Sequence, residues 1–324
     1  MPELPEVETI RRDLAVVLIG KKITDVKVLN SRAVKINADS FKKSLLNKKI
    51  KDIERIGKLM MVDLGDDNFL LIHLKMTGQL IYRHGHQIRS KALQLRRGSK
   101  EEKFLPHSPL AIVAGGHNLP VFSAEGGSAS GGKAQWLPTK YTWVAWKFND
   151  GGNLYFNDMR KFGYLKIVDK KTKETLVAKY GIEPLTKNFT LANFKKVLAN
   201  RKTSIKSVLL NQALVAGIGN IYADEICFAA SVRPDQSIAK LSEVAIKKLF
   251  TASEAIIKKA IAHKGTTFKD YVNAHGGKGN FSDFLKVYQR DGEKCLRCKK
   301  GIITKNKVSG RSSHYCPVCQ KVIN

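Results

Sequence analysis

The sequence is poor in acidic residues, and this shortage is its strongest compositional feature. Among 324 residues, 28 Asp and Glu stand against 57 Lys and Arg, so the formal net charge is +29. An excess of this size governs association and says little about fold. It disfavours basic partners and favours polyanions, first nucleic acid and second an anionic membrane surface. High solubility alone is the simpler alternative.

Long apolar runs and cysteines are also scarce. No run reaches the roughly 18 apolar residues that would indicate a membrane span. The acidic N-terminus lacks the basic and then apolar layout of a signal peptide. We therefore expect a soluble intracellular protein in a reducing compartment. Of the two candidate polyanions we expect nucleic acid, and not a membrane, to be the partner. Five cysteines would make a poor disulfide framework in that reducing compartment.

Four of the cysteines have the spacing of a metal site, C-x2-C-x17-C-x2-C: Cys295, Cys298, Cys316 and Cys319. This pattern predicts one tetrahedral Zn²⁺. Two disulfides are the alternative and conflict with the expected compartment. Because four thiolates leave no open position for water, the zinc would be structural. Arg311 would lie at the tip of the hairpin between the two pairs, where it could contact a phosphate or a groove. Cys227 stands alone on an apolar helix face, which favours a core position.

Hydrophobic periodicity predicts an α+β fold. Apolar residues at helical spacing follow Pro5 as far as Leu18. Strand patterns come next, in KITDVKVLN, LMMVDLG, FLLIHLKM, YTWVAWKF and NLYFND, and this unit is expected to end near Val168. A basic and then Gly/Ser-rich stretch at about 83–138 interrupts it and is predicted to be a mobile insertion. Helical patterns begin near Thr190, and a long helix is predicted to start at a Ser242 cap.

Two further segments combine turns with residues that could contact DNA. In QALVAGIGNIYADE, Gly217 and Gly219 bracket a sharp turn, and Asn220 begins the next helix. Backbone N–H groups there could bind phosphate, although simple packing explains the glycines equally well. In HLKMTGQL and NDMRKFG, Met76 and Phe162 are flanked by polar residues. Core packing is the ordinary interpretation, and wedges that enter a kinked duplex are the alternative.

The opening MPELPEVET allows an ordinary and a chemical interpretation. Proline and glutamate suit a first helical turn. If Met1 is removed, however, Pro2 carries a free secondary amine. Such a group titrates at about 8, so it is a far better nucleophile at neutral pH than a lysine. Attack on a sugar C1′ would give an iminium, which is Schiff-base catalysis. Glu3 could then act as general acid or base, and Lys58 in RIGKL as a second one or as a phosphate contact.

Taken in order, MPELPEVET, LVAGIGNIYADE and the four-cysteine finger resemble the Fpg/Nei family of DNA glycosylases, in its formamidopyrimidine-DNA glycosylase branch. The resemblance covers nearly the whole chain except about 83–138. It implies an N-terminal β-sandwich with a leading helix (1–168), a helix–two-turn–helix domain (169–284) and a zinc finger (285–324). It also implies a cleft for damaged double-stranded DNA, excision of 8-oxoguanine and formamidopyrimidines in base excision repair, and strand cleavage by β,δ-elimination.

The resemblance further implies roles for individual residues. Pro2 would be the Schiff-base nucleophile, Glu3 the proton donor for base loss and Lys58 the donor in β-elimination. Glu6 would support this site, and Arg311 would contact phosphate and assist δ-elimination. Three residues match those that fill the space left by the extruded nucleotide, with Arg160 facing the orphaned cytosine: Met76, Arg160 and Phe162. Five others match phosphate-contact positions: His73, Arg201, Lys206, Asn220 and Tyr288.

Other functions remain open at this stage. A Nei-type enzyme would use the same nucleophile but prefer oxidised pyrimidines, whereas the intact Met76, Arg160 and Phe162 set is typical of the Fpg branch. A non-catalytic protein that binds damaged DNA would not need Pro2, Glu3 and Lys58 together. A generic zinc-ribbon module would leave the first 80 or so residues unexplained. For the enzyme we expect a monomer in the bacterial cytoplasm, associated with the nucleoid.

Overall fold

The computed structural model describes residues 1–85, 111–114, 137–266 and 280–322. Within these ranges the chain forms two compact units. The first comprises residues 1–2, 6–85, 111–114, 137–174 and 266, and the second comprises residues 3–5, 175–265 and 280–322. The predicted division into three domains uses different boundaries and stays a prediction.

The first unit consists mainly of two antiparallel sheets. One sheet has the strand order β1–β7–β8–β5–β6 and the other β2–β3–β4–β9. The strands are β1 (Ile23–Val28), β2 (Asp52–Ile56), β3 (Leu59–Asp63), β4 (Asn68–His73), β5 (Gly78–Arg83), β6 (Ala111–Ala114), β7 (Thr142–Phe148), β8 (Asn153–Asp158) and β9 (Tyr164–Asp169). The segments predicted as strands correspond to β1, β3, β4, β7 and β8, and these predictions are confirmed.

The predicted insertion is not loop throughout. Strand β6 lies inside it and pairs antiparallel with β5 at the edge of the first sheet, with Arg83 opposite Ala111. The backbone of a short apolar stretch can thus satisfy its hydrogen bonds at a sheet edge without any alternating pattern. Residues 86–110 and 115–136 of the insertion lie outside the described residues.

Helix α1 (Leu4–Leu18) confirms the predicted N-terminal helix. Val7, Ile10, Leu14 and Leu18 are buried together with side chains from both sheets in one apolar core. The same core includes Phe41 of α2 (Ala38–Leu45). The helical spacing of these apolar residues explains why α1 packs with one face inward.

The second unit is mainly helical. Helix α3 (Lys170–Val177) begins in the first unit and ends in the second. The second unit also contains α4 (Leu191–Leu198), α5 (Ile205–Leu210), α6 (Asn220–Ala229) and α7 (Glu243–Ala262). Ser242 caps α7 as predicted, because its Oγ accepts a hydrogen bond from Ala245 N at 3.2 Å. Strands β10 (Thr304–Val308) and β11 (Arg311–Tyr315) form a hairpin near the C-terminus.

Candidate active site and zinc centre

The Glu3 carboxylate caps the N-terminus of α6. It accepts hydrogen bonds from Gly219 N at 2.7 Å, Ile221 N at 3.0 Å and Tyr222 N at 3.4 Å. Glu3 is only 3% exposed. Three backbone donors at a helix N-terminus fix the position and orientation of this carboxyl group.

This contact favours packing, the second of the two interpretations of the glycine turn, over phosphate binding through its backbone. The N–H groups of Gly219, Ile221 and Tyr222 donate to Glu3, and Gly217 N donates to Gln212 Oε1 at 2.9 Å. A carboxylate of the chain itself occupies the anion site that the turn creates. Glu3 of the N-terminal motif and the glycine turn of the central motif are therefore joined by hydrogen bonds.

At two positions of the turn, Gly217 and Gly219, steric crowding requires glycine. Gly217 adopts φ +90°, and a Cβ there would lie 2.4 Å from Leu4 Cδ1. Its carbonyl accepts a hydrogen bond from Leu4 N at 3.0 Å. A Cβ on Gly219 would lie 2.3 Å from the Glu3 carboxyl carbon. Only glycine lets the N-terminal segment approach so closely.

Glu6 lies in the first unit and holds the residue that begins a Gly-rich polar segment. Its Oε1 accepts hydrogen bonds from Thr266 N at 2.7 Å and Thr266 Oγ1 at 3.0 Å. Thr266 is 4% exposed. Glu6 thus fixes the position of Thr266, and the supporting role expected for Glu6 stays a prediction.

Lys58 lies on the tight turn between β2 and β3, directly after Gly57, whose φ is +55°. It is 6% exposed, which is unusual for a lysine. His73, at the end of β4, is close enough to feel its charge. Burial, together with Lys75 and Lys58, lowers the pKa of His73 to about 3. His73 Nδ1 accepts a hydrogen bond from Lys75 N at 3.0 Å, so the neutral ring carries its hydrogen on Nε2 and presents a donor.

A charge network that the sequence analysis missed fixes the Lys58 turn. Glu8 of α1 accepts hydrogen bonds from Arg11, Arg12 at 2.7 Å and Arg55 at 3.0 Å. Arg55 also donates to the carbonyl of Gly57 at 2.9 Å. Burial alone would raise the pKa of Glu8, but the hydrogen bonds from Arg11, Arg12 and Arg55 outweigh it and lower that pKa to about 2. The sequence did contain a sign of this network, because Arg11 and Arg12 follow Glu8 at i+3 and i+4, the spacing of ion pairs on a helix.

Met76, Arg160 and Phe162 lie on two turns that one buried carboxylate joins. Asp158 accepts hydrogen bonds from Thr77 Oγ1, from Arg160 N at 3.1 Å and from Gly163 N at 2.7 Å. Met76 is 37% and Phe162 53% exposed, and the Arg160 guanidinium lies 5.2 Å from the Phe162 ring centre. The core interpretation of Met76 and Phe162 is therefore wrong: both are large apolar side chains presented to solvent.

In the second unit, Asn220 and Tyr288 are brought together. Burial raises the pKa of the Tyr288 phenol, and the neighbouring Asn220 side chain partly offsets this rise. Buried Glu225 supports the segment by accepting hydrogen bonds from three consecutive backbone N–H groups, those of Lys286, Val287 and Tyr288. Arg201 is half-buried, and its Nε donates to Val197 O at 2.7 Å.

Lys206 does not match its predicted role as a phosphate contact. Its side chain is 0% exposed. Its Nζ donates to Asp224 Oδ1 at 2.6 Å, Ser312 O at 2.7 Å and Ser313 Oγ at 2.7 Å. An ammonium has three donors, and all of them are used inside the protein. The basic residues before it in sequence gave no sign of this burial.

The four cysteines form the predicted metal centre. Their sulfur atoms all lie within 4.8 Å of one another. The Sγ atoms of Cys295 and Cys319 are 3.8 Å apart, as are those of Cys298 and Cys316. Four sulfurs bound tetrahedrally at about 2.3 Å from Zn²⁺ would be about 3.8 Å apart, so the site fits one structural zinc. Cys227 is fully buried, which confirms its core position.

Arg311 lies at the tip of the β10–β11 hairpin, as predicted. Ser309 and Gly310 form its turn with φ +50° and +74°, the conformation of a two-residue type I′ turn. Arg311 is exposed directly after it. In the ranges that the structure covers, no helix has the length and apolar character needed to cross a membrane.

Two antiparallel sheets with a leading helix, a helical unit with a capped Gly turn and a four-cysteine finger follow one another along the chain. Three family models match successive parts of the chain. These are the formamidopyrimidine-DNA glycosylase N-terminal domain (residues 1–165), the H2TH domain of the same enzymes (180–272) and the zinc finger found in FPG and IleRS (292–322).

Whole-length relatives agree with these matches. The formamidopyrimidine-DNA glycosylases of Pelotomaculum thermopropionicum and Listeria innocua are each 35% identical, over 99% of this chain and 100% of theirs. A Lactococcus lactis Fpg mutant bound to Fapy-dG-containing DNA matches with 32% identity and a TM-score of 0.77, over 99% of this chain and 100% of that one. The wild-type Lactococcus lactis enzyme bound to DNA containing an oxidised pyrimidine matches over the same shares with 32% identity and a TM-score of 0.75.

The chain belongs to the formamidopyrimidine-DNA glycosylase family. It is a DNA glycosylase of base excision repair, with the abasic-site lyase activity general to that family. The predicted fold and the single structural zinc are confirmed by these matches.

Proposed function

We propose that this enzyme excises oxidised purines, chiefly 8-oxoguanine and formamidopyrimidines, from double-stranded DNA and cleaves the strand by β,δ-elimination. The observation that carries the proposal is the Glu3 carboxylate, buried and held by three backbone N–H groups of α6. Its neighbour in sequence, Pro2, supplies a secondary amine once Met1 is removed. A nucleophile and a fixed acid/base group thus share adjacent positions.

In the proposed reaction, the Pro2 nitrogen attacks C1′ and the bond from C1′ to the base breaks. Glu3 provides the proton that accompanies base loss. The C1′–O4′ bond then breaks, the proton lost from the Pro2 nitrogen ends on O4′, and an iminium forms between Pro2 and C1′. Loss of a C2′ proton then breaks the C3′–O3′ bond, with Lys58 as donor. Loss of a C4′ proton breaks the C5′–O5′ bond, which Arg311 assists by contacting the phosphate. Water finally hydrolyses the iminium and frees Pro2.

DNA binding is proposed to rest on charge and on the exposed side chains of the two turns. Extruding a nucleotide costs a few kcal/mol and is cheapest at a damaged pair. Met76, Arg160 and Phe162 would fill the space in the duplex, with Arg160 facing the orphaned cytosine. Phosphate contacts are assigned to His73, Arg201, Asn220 and Tyr288. The exposed apolar side chains and the Nε2 donor of His73 support these assignments.

Borohydride trapping on a duplex with 8-oxoguanine opposite cytosine tests the nucleophile. The wild-type protein should form a covalent adduct, and Pro2→Gly should lose most of it. Pro5→Ala is the matched control, because the nitrogen of Pro5 lies in a peptide bond, and it should trap normally. Equal trapping by a protein with a blocked N-terminus would contradict the role of Pro2.

The lesion class needs its own comparison. The enzyme should cleave duplexes containing 8-oxoguanine faster than duplexes containing thymine glycol, whereas the reverse order would favour a Nei-type preference. We also propose that it acts as a monomer, in the bacterial cytoplasm on nucleoid DNA. Analytical ultracentrifugation with one damaged duplex should give a one-to-one complex.

A further inference from the structure

The hairpin that carries Arg311 is fastened to helices α5 and α6 along one strand. Ser309 Oγ in its turn lies 2.5 Å from Ser207 Oγ of α5. Lys206 of α5 donates to Ser312 O and to Ser313 Oγ, each at 2.7 Å. The contacts therefore flank Arg311 on both sides in sequence.

Asp224 of α6 completes the attachment. Its Oδ1 accepts from Lys206 Nζ at 2.6 Å, and its Oδ2 accepts from His314 N at 2.9 Å and His314 Nδ1 at 3.0 Å. Because a carboxylate only accepts hydrogen bonds, Nδ1 carries the hydrogen of the ring. Lys206 and Asp224 are 0% exposed, and the His314 side chain is 3% exposed.

A buried ion pair of this kind is a poor means of adding stability. Removing two charges from water largely offsets their attraction, and an apolar pair of similar volume is often as stable. What it does provide is direction, since each donor and acceptor accepts partners only over narrow angles. Here the partners belong to three consecutive residues of β11, beginning one residue after Arg311.

We propose that Lys206, Asp224 and His314 are positioning residues that fix the backbone of β11 and thereby aim Arg311 at the phosphate expelled in δ-elimination. The inference rests on the proposed role of Arg311. A guanidinium at the end of a long flexible side chain is placed accurately only if its backbone is held rigidly. Misplacement by about 1 Å can reduce a rate by about 100-fold.

The test is a single-turnover assay on a duplex with a preformed abasic site, with β- and δ-elimination products separated by electrophoresis. Lys206→Met should lower the rate of δ-elimination about ten- to a hundredfold and leave β-elimination within about twofold. Zinc content should stay at one per chain. In hydrogen exchange, the amides of Ser312, Ser313 and His314 should exchange faster than in the wild type.

Four further variants make the result decisive. Lys305→Met is the matched control, because it removes an exposed lysine from the same hairpin, and it should keep the wild-type product ratio. Arg311→Ala should lose δ-elimination, and adding Lys206→Met to it should produce no further loss. Ser313→Ala removes one acceptor of Lys206 without leaving a buried charge unpaired, and it should lower the rate of δ-elimination by a smaller factor. This variant keeps the test available if Lys206→Met does not fold.

The outcomes separate the two ideas. If Arg311→Ala keeps δ-elimination, the proposed role of Arg311 fails. If Arg311→Ala loses it while Lys206→Met and Ser313→Ala keep the wild-type product ratio, the positioning role is overturned. A loss of both elimination steps and of zinc in Lys206→Met, with an unchanged product ratio in Ser313→Ala, would likewise overturn it and show a purely structural role.

Discussion

Lys58 and Arg311 both lie on two-strand turns, but the two units hold these turns in different ways. The Lys58 turn joins strands whose apolar side chains fill a large core shared by two sheets and α1. The hairpin of Arg311 has a small core made of the cysteines and a few apolar neighbours, among them Phe228, Val287 and Ile303. Because this core is small, the position of the hairpin also depends on the bound metal and on a buried ion pair.

A functional side chain can thus be held in place in two ways, by close packing of an apolar core or by directional contacts such as metal ligands and ion pairs. A close-packed apolar core resists displacement in every direction and is insensitive to metal and largely to pH. Thiolate and ion-pair attachments are directional but require defined protonation states and a bound ion. The first unit should therefore survive conditions that disrupt the second.

Zinc removal should have the largest effect and divide the two units. Chelation, or Cys316→Ser, should remove a contribution of about 10 kcal/mol or more from the finger and abolish DNA binding, measured by fluorescence anisotropy. Fluorescence of the buried Trp143 and Trp146 should stay native, since both lie in the first unit. Cys227→Ala is the control and should retain zinc. Parallel loss of the tryptophan signal would refute the independence of the units.

Gly219→Ala should have the next largest effect, and it shows how closely the N-terminal segment depends on the second unit. The new Cβ would lie 2.3 Å from the Glu3 carboxyl carbon, so the carboxylate must leave the α6 N-terminus. We expect base excision to fall about 100-fold, with the fold retained. Single-turnover excision of 8-oxoguanine measures this loss.

The control for that variant is Gly20→Ala. Gly20 has φ +86° and nothing within 4 Å of an added Cβ, so the substitution adds strain of about 1 kcal/mol without a collision. It should lower stability slightly and leave excision unchanged. Equal loss of excision in both variants would mean that stability, and not the Glu3 contact, decides activity.

Glu8→Gln should have a moderate effect that depends on pH and belongs to the first unit. The pKa of Glu8 is about 2 in the folded protein against 4.5 for an ordinary glutamate. Its charged form therefore stabilises the fold above pH 4.5, and this contribution disappears as the pH falls from 4.5 towards 2. At pH 7 the variant should lose at most about 3 kcal/mol, reduced by solvent screening.

Urea unfolding followed by tryptophan fluorescence measures this difference at pH 7 and at pH 3. The gap between wild type and Glu8→Gln should narrow at the lower pH, because protonated Glu8 resembles glutamine. Glu54→Gln is a control on a neighbouring strand, with a 45% exposed carboxylate, and it should cost much less. A stability difference between wild type and Glu8→Gln that does not depend on pH would mean that the substitution disturbs packing and that the charge of Glu8 contributes nothing.

Local patterns predicted much of this arrangement, while pairings between distant polar atoms escaped them. The cysteine spacing, the Ser242 cap and the apolar face of α1 each depend on residues within a few turns of one another. Glu3 and Gly219, in contrast, are 216 residues apart in sequence, and the glycine turn alone looks like any phosphate site. Periodicity reports which face is buried, but it does not report which atom a buried charge meets.

Lys206 shows the same limit on a smaller scale. Its surroundings, SIKSVLLNQ, place a lysine among helical residues, and a surface position is the usual outcome for that residue type. Only the presence of Asp224 on the next helix, with two serines and a histidine of the finger, makes its burial possible. A count of basic residues near a DNA-binding motif cannot separate such a lysine from one that faces phosphate.

The smallest predicted effect concerns His73, whose ring is held neutral by the first unit. Its pKa is lowered to about 3 by burial and by Lys75 and Lys58, against about 6.5 in an unfolded chain. The unfolded state therefore binds the proton first, and stability falls as the pH drops below 6.5, by at most about 1 kcal/mol between pH 6.5 and 5.5. His73→Gln keeps a donor but cannot titrate, so it should remove this pH dependence of stability in urea unfolding.

The affinity of the wild-type protein for DNA should be the same at pH 6 and pH 8 as far as His73 is concerned, because a neutral Nε2–H donor binds phosphate equally at both. A wild-type affinity that rises steeply at acidic pH, and loses that rise in His73→Gln, would show instead that the ring is protonated when DNA binds.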